Sequence, residues 1–144
     1  MYDLIIIGAG PAGITAAIYA ARKNLKLLVL SEQLGGQVIY NLSVENYTGF
    51  QEISGAELVQ KFNQHLENFK FDFIEEKAIS IEPGQKGFEV KTSQAAYEGK
   101  SVIVSTGTSP KKLGVKGEKE YRNRGISYCA TCDAPLFSGK RLQL

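Results

Sequence analysis

The sequence predicts an α/β protein: a parallel sheet with helices, plus a small antiparallel β-meander. Three observations lead there. A short apolar strand runs into Gly8-x-Gly10-x-x-Gly13 and then into a helical pattern. A second apolar strand follows that helix. From Phe71 onward the apolar period changes to two.

Leu4 to Ile7 is an unbroken apolar run. It is too short for a helix and rich in β-branched residues, so it reads as a strand buried on both faces. Each glycine of the turn after it has a task. Gly8 permits the tight turn, Gly10 lets backbone approach a pyrophosphate, and Gly13 lets the helix pack close on the strand. Pro11 suits the first helical position, where its missing N–H is no loss. The helix N-terminus offers free N–H groups and a partial positive charge to a phosphate. The helix is expected over Pro11 to Lys23, with Ile14, Ala17, Ile18 and Ala21 on one face and Asn24 ending it. The second strand is expected over Leu25 to Leu30. Glu32 stands about 20 residues beyond the glycines, where an acidic side chain bonds the adenosine ribose hydroxyls. A tight strand-to-helix turn with no ligand is the alternative reading.

The loop that follows carries Gly35-Gly36-Gln37, where adjacent glycines allow backbone to approach a flat or phosphorylated group. A plain flexible turn is the other reading. Val44 to Phe50 is aromatic and turn-like. A second helix is expected over Ser54 to Phe69, with a capping box of Ser54 and Glu57 and an apolar face of Leu58, Phe62, Leu66 and Phe69. The single histidine, His65, lies beside that face and reads as a surface or packing residue. With no second histidine, a His-based metal site is not expected.

Strands are then expected at Phe71–Ile74, Ala78–Ile81, Phe88–Lys91, Ala96–Glu98 and Val102–Ser105. Turns are expected at Pro83-Gly84, Lys86-Gly87 and Gly99-Lys100. The three middle strands form the meander. Val102 to Val104 reads as a buried strand that delivers Thr106-Gly107 to the carboxyl edge of the sheet, the edge where open α/β sheets bind ligands. Ser109 to Arg124 is polar and turn-rich and reads as a linker.

The bulk numbers narrow the function. A hydrophobic content of 43% and a charged content of 22% are those of an ordinary soluble globular domain. The net charge of +2 comes from interleaved signs, so no nucleic-acid or acidic-membrane partner is expected. No apolar run approaches a membrane span. The N-terminal apolar stretch is too short for a secretory signal, and a cytoplasmic location is expected.

The two cysteines are Cys129-Ala-Thr-Cys132, with Asp133 next. Their spacing suits a reversible disulfide. Half of a zinc site and two buried cysteines acting as small hydrophobes are the alternatives. Exchange needs a thiolate and a proton source, and Asp133 is placed in sequence to supply the proton. Arg122 and Arg124 are near in sequence.

Taken together, Gly8-Ala-Gly-Pro-Ala-Gly13, Gly35-Gly36-Gln37, Val44-Glu45-Asn46-Tyr47, Thr106-Gly107 and Cys129-Ala-Thr-Cys132-Asp133 resemble, in this order, the low-molecular-weight thioredoxin reductases. The alkyl hydroperoxide reductase flavoproteins are close relatives of that family. The resemblance covers nearly the whole sequence. It implies a Rossmann-like FAD/NAD(P)-binding domain over residues 1–110, followed over 111–144 by a linker and the start of an NADPH domain carrying the redox pair. It implies noncovalent FAD, with electrons passing from NADPH through FAD and the disulfide to thioredoxin. Gly8, Gly10, Pro11, Ala12 and Gly13 would hold the pyrophosphate. Glu32 would take the ribose, and Gly36, Gln37, Asn46, Ala78, Thr106 and Gly107 would line the cofactor. Cys132 would face the flavin, Cys129 would attack the thioredoxin disulfide, and Asp133 would be the general acid/base. A homodimer is implied for the full-length parent.

Family members continue with a second Gly-rich motif, basic residues for the NADPH 2′-phosphate and a final Gly-Asp segment. This sequence stops after Ser138-Gly-Lys-Arg-Leu-Gln-Leu144. The expectation is an N-terminal fragment without an NADPH site, with an incomplete FAD pocket and little reductase activity by itself. A fragment of the alkyl hydroperoxide reductase flavoprotein is the rival, less favoured because the sequence begins directly at the first strand. A flavin-binding module without turnover is the third reading.

Overall fold

The computed structural model describes residues 1–122, 124–130 and 134–141. The chain divides into two compact units, Met1–Thr108 and Ser109–Leu144. The first holds one six-stranded sheet. Its strands in chain order are β1 (Tyr2–Ala9), β2 (Leu27–Leu34), β3 (Asp72–Ile74), β4 (Ser80–Gly84), β5 (Gly87–Lys91) and β6 (Ala96–Val104). Across the sheet the order is β3-β2-β1-β6-β5-β4. The first four positions run parallel, and β5 and β4 are antiparallel to their neighbours.

The apolar run of β1 sits centrally and is buried on both faces, as its unbroken pattern predicts. Leu4 and Ile6 join Ile14, Ala17 and Ala20 of the helix α1 (Pro11–Arg22), with Leu27 and Val29. Ile5 and Ile7 point the other way, to Leu28, Leu30 and Val90. Alternation along a strand sends neighbours to opposite faces. Each such fully buried side chain contributes about 1.5–3 kcal/mol.

Asn24 takes a left-handed conformation, φ 55°, just after the helix. The turn it makes uses the next two residues. The Leu25 N–H bonds back to the Ala20 carbonyl, and the Lys26 N–H donates to Asp3. Leu25 is therefore exposed, and β2 starts at Leu27 rather than Leu25. Within α1 the buried stripe is Gly13, Ile14, Ala17 and Ala20, so Ala20 takes the deep position expected for Ala21.

The helix α2 (Gly55–Leu66) begins at the expected capping box. The Glu57 N–H donates to the Ser54 hydroxyl, and the Glu57 carboxylate accepts from the Ser54 N–H. Leu58, Val59 and Leu66 are buried and Phe62 partly so. His65 is exposed, and its ring lies at a tilt of 44° against Phe69.

The meander is present, with two corrections. Pro83 and Gly84 are strand residues of β4, paired with Phe88 and Gly87, and the turn falls at Gln85-Lys86. No turn interrupts the chain at Gly99-Lys100. Instead β6 runs unbroken from Ala96 to Val104. Its first half pairs antiparallel with β5, and its second half pairs parallel with β1. A Cβ on Gly99 would lie 2.8 Å from Cγ1 of Ile5, so the glycine serves close packing against the core and not a bend. Val102 packs against the Ile5 cluster, but Ile103 and Val104 are 39% and 62% exposed, against the buried strand expected. For Ile103, which pairs with Ile6 on the α1 face, the reason is lateral: α1 packs over β1 and β2, to one side of β6.

Candidate functional site

The glycine turn lies where β1 meets α1, at the carboxyl end of the parallel strands. Gly8 has φ 101°, and a Cβ there would lie 2.3 Å from the Ser105 carbonyl oxygen. A Cβ on Gly13 would lie 1.8 Å from the Gly8 carbonyl oxygen. Both glycines are demanded by the chain's own backbone. Gly10 is different. Its φ of −75° and ψ of −178° suit any residue, and a Cβ there meets no atom within 4 Å. The fold gives no reason for a glycine at this position, and the space in front of it is open.

Gly10 is also the N-cap of α1, and no side chain bonds the helix N-terminus. There is no acidic residue in the first turn to satisfy it, and Pro11 occupies the first helical position. The backbone N–H groups of this turn thus face outward with the helix dipole behind them. An anion is the partner that this arrangement favours, and the room at Gly10 lets it approach the backbone.

Two hydroxyls not singled out from the sequence hold this turn. Ser105 donates to the backbone oxygens of Ile7 and Gly8, at 2.9 and 3.0 Å, while its N–H bonds Ile7 oxygen at 2.8 Å. Ser31 accepts from the Ala9 N–H at 3.1 Å and donates to the Gln33 carbonyl. The available signal is position: each is the first hydroxyl residue after an apolar strand run.

The remaining expected residues fall in several places. Gly36 (φ 57°) comes next to Gly10, because a Cβ on Gly36 would lie 3.3 Å from the Gly10 Cα. The Gly35 N–H bonds the Ala9 oxygen at 2.7 Å, which draws this loop onto the end of β1. Gly36 opens a short 3-10 turn, Gly36–Tyr40, in which Gln37 is exposed. Thr106 lies against Gly8, its Cα 3.2 Å from where a Gly8 Cβ would be, and Gly107 follows with φ 63°. Glu32 lies in the exposed part of β2, in a 3.6 Å ion pair with Lys77. Such an exposed pair is weak and readily exchanged for another partner. Ala78, next to Lys77, packs against the Ile5 cluster. Asn46 is on the exposed loop between the paired residues Val44 and Ile53, a loop whose Tyr47 ring packs at a tilt against Phe62. The structure thus brings Gly8, Gly10, Gly13, Gly36 and Thr106 together.

In the second unit, Cys129 is half-buried and disulfide-bonded. Its N–H donates to the Ser127 hydroxyl at 3.0 Å. Cys132 and Asp133 lie outside the described residues. The buried Glu118 opens the helix α3 (Glu118–Tyr121). One of its oxygens accepts from the Leu113 N–H at 2.8 Å and the other from the Gly114 N–H at 2.7 Å. The Tyr128 hydroxyl also donates to it. These bonds, the Tyr128 hydroxyl foremost, hold the Glu118 carboxyl below its ordinary pKa, and the same contact pushes the Tyr128 phenol up.

Comparison with known proteins shows the family. The profile of the Pyridine nucleotide-disulphide oxidoreductase family matches residues 2–143. The thioredoxin reductase of Bacillus subtilis (strain 168) is 43% identical over 143 residues, which are 99% of this chain and 45% of that protein. An alkyl hydroperoxide reductase component of Pseudomonas putida is 39% identical over 145 residues, 98% of this chain and 28% of that protein. Among solved structures, the thioredoxin reductase of Streptococcus pyogenes MGAS5005 superposes with a TM-score of 0.83 at 46% identity, over 95% of this chain and 45% of that one. The chain spans about half the length of the thioredoxin reductases it matches. With a family profile that matches nearly every residue, the chain belongs to the pyridine nucleotide-disulphide oxidoreductases.

Proposed function

We propose that the chain is the FAD-binding and disulfide-bearing part of an FAD-dependent thioredoxin-disulfide reductase. The observation that carries this reading is the open side of Gly10 before an uncapped helix N-terminus, on a chain that also holds Cys129-x-x-Cys132. Relatives similar in sequence and in structure, several of them thioredoxin reductases, support it. Bound FAD would supply a two-electron relay between NADPH and the disulfide. The backbone of Gly8, Gly10, Pro11, Ala12 and Gly13 would bind its pyrophosphate, and Glu32 would accept from the ribose hydroxyls. Gly36, Gln37, Asn46, Ala78, Thr106 and Gly107 would line its remainder.

The cysteine chemistry follows from thiol exchange. Reduced Cys129, as thiolate, attacks one sulfur of the thioredoxin disulfide, and the other thioredoxin sulfur leaves as a thiolate. Cys132 thiolate then attacks Cys129 sulfur, which re-forms the pair and releases thioredoxin as a dithiol. Two electrons leave the pair, and Asp133 supplies a proton to the departing thiolate. A cytoplasmic setting fits a sequence whose only two cysteines form such a pair. In the whole protein, a homodimer is the proposed assembly. Residues 1–110 are assigned to FAD and 111–144 to the linker and the start of the NADPH domain.

The 39% identity to the alkyl hydroperoxide reductase component of Pseudomonas putida favours, as a second reading, the corresponding part of such a flavoprotein, with a different thiol partner. The experiment is titration of the purified chain with FAD, followed by quenching of flavin fluorescence, beside the Gly10→Val variant. Saturable binding that Gly10→Val loses is expected. Equal binding by both would sink the assignment of the site.

A further inference from the structure

We propose that Glu118 and Tyr128 act as one positioning pair for Cys129, holding the segment that carries its sulfur so that the disulfide closes readily. The inference rests on the redox reading of Cys129-x-x-Cys132 and adds two residues to it.

Glu118 is a buried carboxylate, and burial of a charge is costly unless it is fully bonded. Here both oxygens are used. The amides of Leu113 and Gly114 tie the incoming chain to the start of α3. The third bond leaves this local structure. It comes from Tyr128, ten residues further on and directly before Cys129. The Arg122 guanidinium lies over the Tyr128 ring at 5.6 Å, and Ser127 takes the Cys129 N–H. The residue before the sulfur is therefore held at its hydroxyl and ring, and Cys129 itself at its N–H.

A disulfide has narrow geometric demands. Two thiols meet them often only if the backbone between the anchor and the sulfur is already fixed, which raises their effective concentration. A carboxylate–phenol bond suits this task because it is charge-assisted and directional. The tie acts on the residue directly before Cys129, whose sulfur must meet a partner protein in the proposed mechanism.

The test is the dithiol–disulfide equilibrium of the full chain in glutathione buffers, measured by thiol alkylation and mass spectrometry. The variants are Tyr128→Phe, Glu118→Gln and the double variant. Tyr128→Phe leaves both backbone bonds of Glu118 in place, so the unit keeps its fold. It should shift the equilibrium toward the dithiol about fivefold, the size of one hydrogen bond to a charged group shared between two states. Glu118→Gln should shift it at least as far, and the double variant should add little to Glu118→Gln. An equilibrium constant for Tyr128→Phe equal to that of the parent would overturn the pair. Independent, additive effects of the two substitutions would overturn it as well. A parent chain that forms no disulfide at any glutathione ratio would instead remove the redox reading beneath it.

Discussion

A Cβ placed on Gly13 would lie 1.8 Å from the carbonyl oxygen of Gly8. The first turn of α1 therefore rests directly on the turn that ends β1. Gly13→Ala must push the helix off the strand, at a cost of several kcal/mol typical of backbone overpacking. Gly10→Ala meets nothing and suits its backbone angles. It should leave the melting temperature of the chain within a few degrees of the parent while weakening FAD binding. Thermal melts and flavin titrations of both variants separate the two roles. A Gly10→Ala protein as unstable as Gly13→Ala would show that Gly10 serves the fold.

Ser105 supports that same turn from the neighbouring strand. Its hydroxyl serves the oxygens of Ile7 and Gly8. Ser105→Ala removes both contacts without adding bulk, and about 1–2 kcal/mol of stability should be lost, measured by urea unfolding. Ser105→Val should cost more, because the Gly8 and Gly13 backbones leave no room for a larger side chain. A neutral Ser105→Ala result would mean the hydroxyl does not restrain the glycine turn.

Acid should loosen the second unit through Glu118. Its folded pKa is lowered from 4.5, with the Tyr128 hydroxyl as the largest cause and the Leu113 amide next. A depressed carboxylate contributes stability above its unfolded pKa and loses it as pH falls through the folded value. Tyr128 has the opposite sign: its pKa is raised from 10.0 by the same contact, so its share persists below that value and disappears in alkali. The ring signals of Tyr128 in NMR should stay constant through neutral pH and move only at the two extremes. In Glu118→Gln the acid-side change should vanish. An unchanged acid transition in that variant would assign it to another carboxylate.

The roles proposed for the two cysteines are distinguishable by substitution. Cys132→Ser should leave Cys129 able to trap, as a mixed disulfide, a thioredoxin that lacks its resolving cysteine. Cys129→Ser should not trap it. Both variants should stop turnover while FAD stays bound, and Asp133→Asn should slow the thiol step. Trapping by Cys129→Ser in place of Cys132→Ser would reverse the assigned roles.

Local pattern carried a large part of the fold. The apolar run Leu4–Ile7, the glycine spacing, the Ser54–Glu57 capping box and the alternation after Phe71 each depend on residues close in sequence. Each appears in the structure as a buried strand, a turn, a helix start and a meander. The dinucleotide reading rested on the same kind of short-range spacing. What the pattern could not give are the relationships that only packing creates. Gly99 looks like a turn residue until Ile5 is placed beneath it, where it becomes the smooth middle of β6. Ile103 looks buried until α1 is seen to cover β1 and β2. Ser105 is ordinary in sequence and meets Gly8 only because β6 pairs with β1 across nearly the whole unit. Glu118 reads as one charge in a polar linker, and its bond from Tyr128 joins residues ten apart in the chain. Secondary structure and motif chemistry follow from the period and spacing of side chains along the chain. Burial, register and hydrogen-bond partners follow from which distant segments share a surface, and that is fixed only when the whole unit has packed.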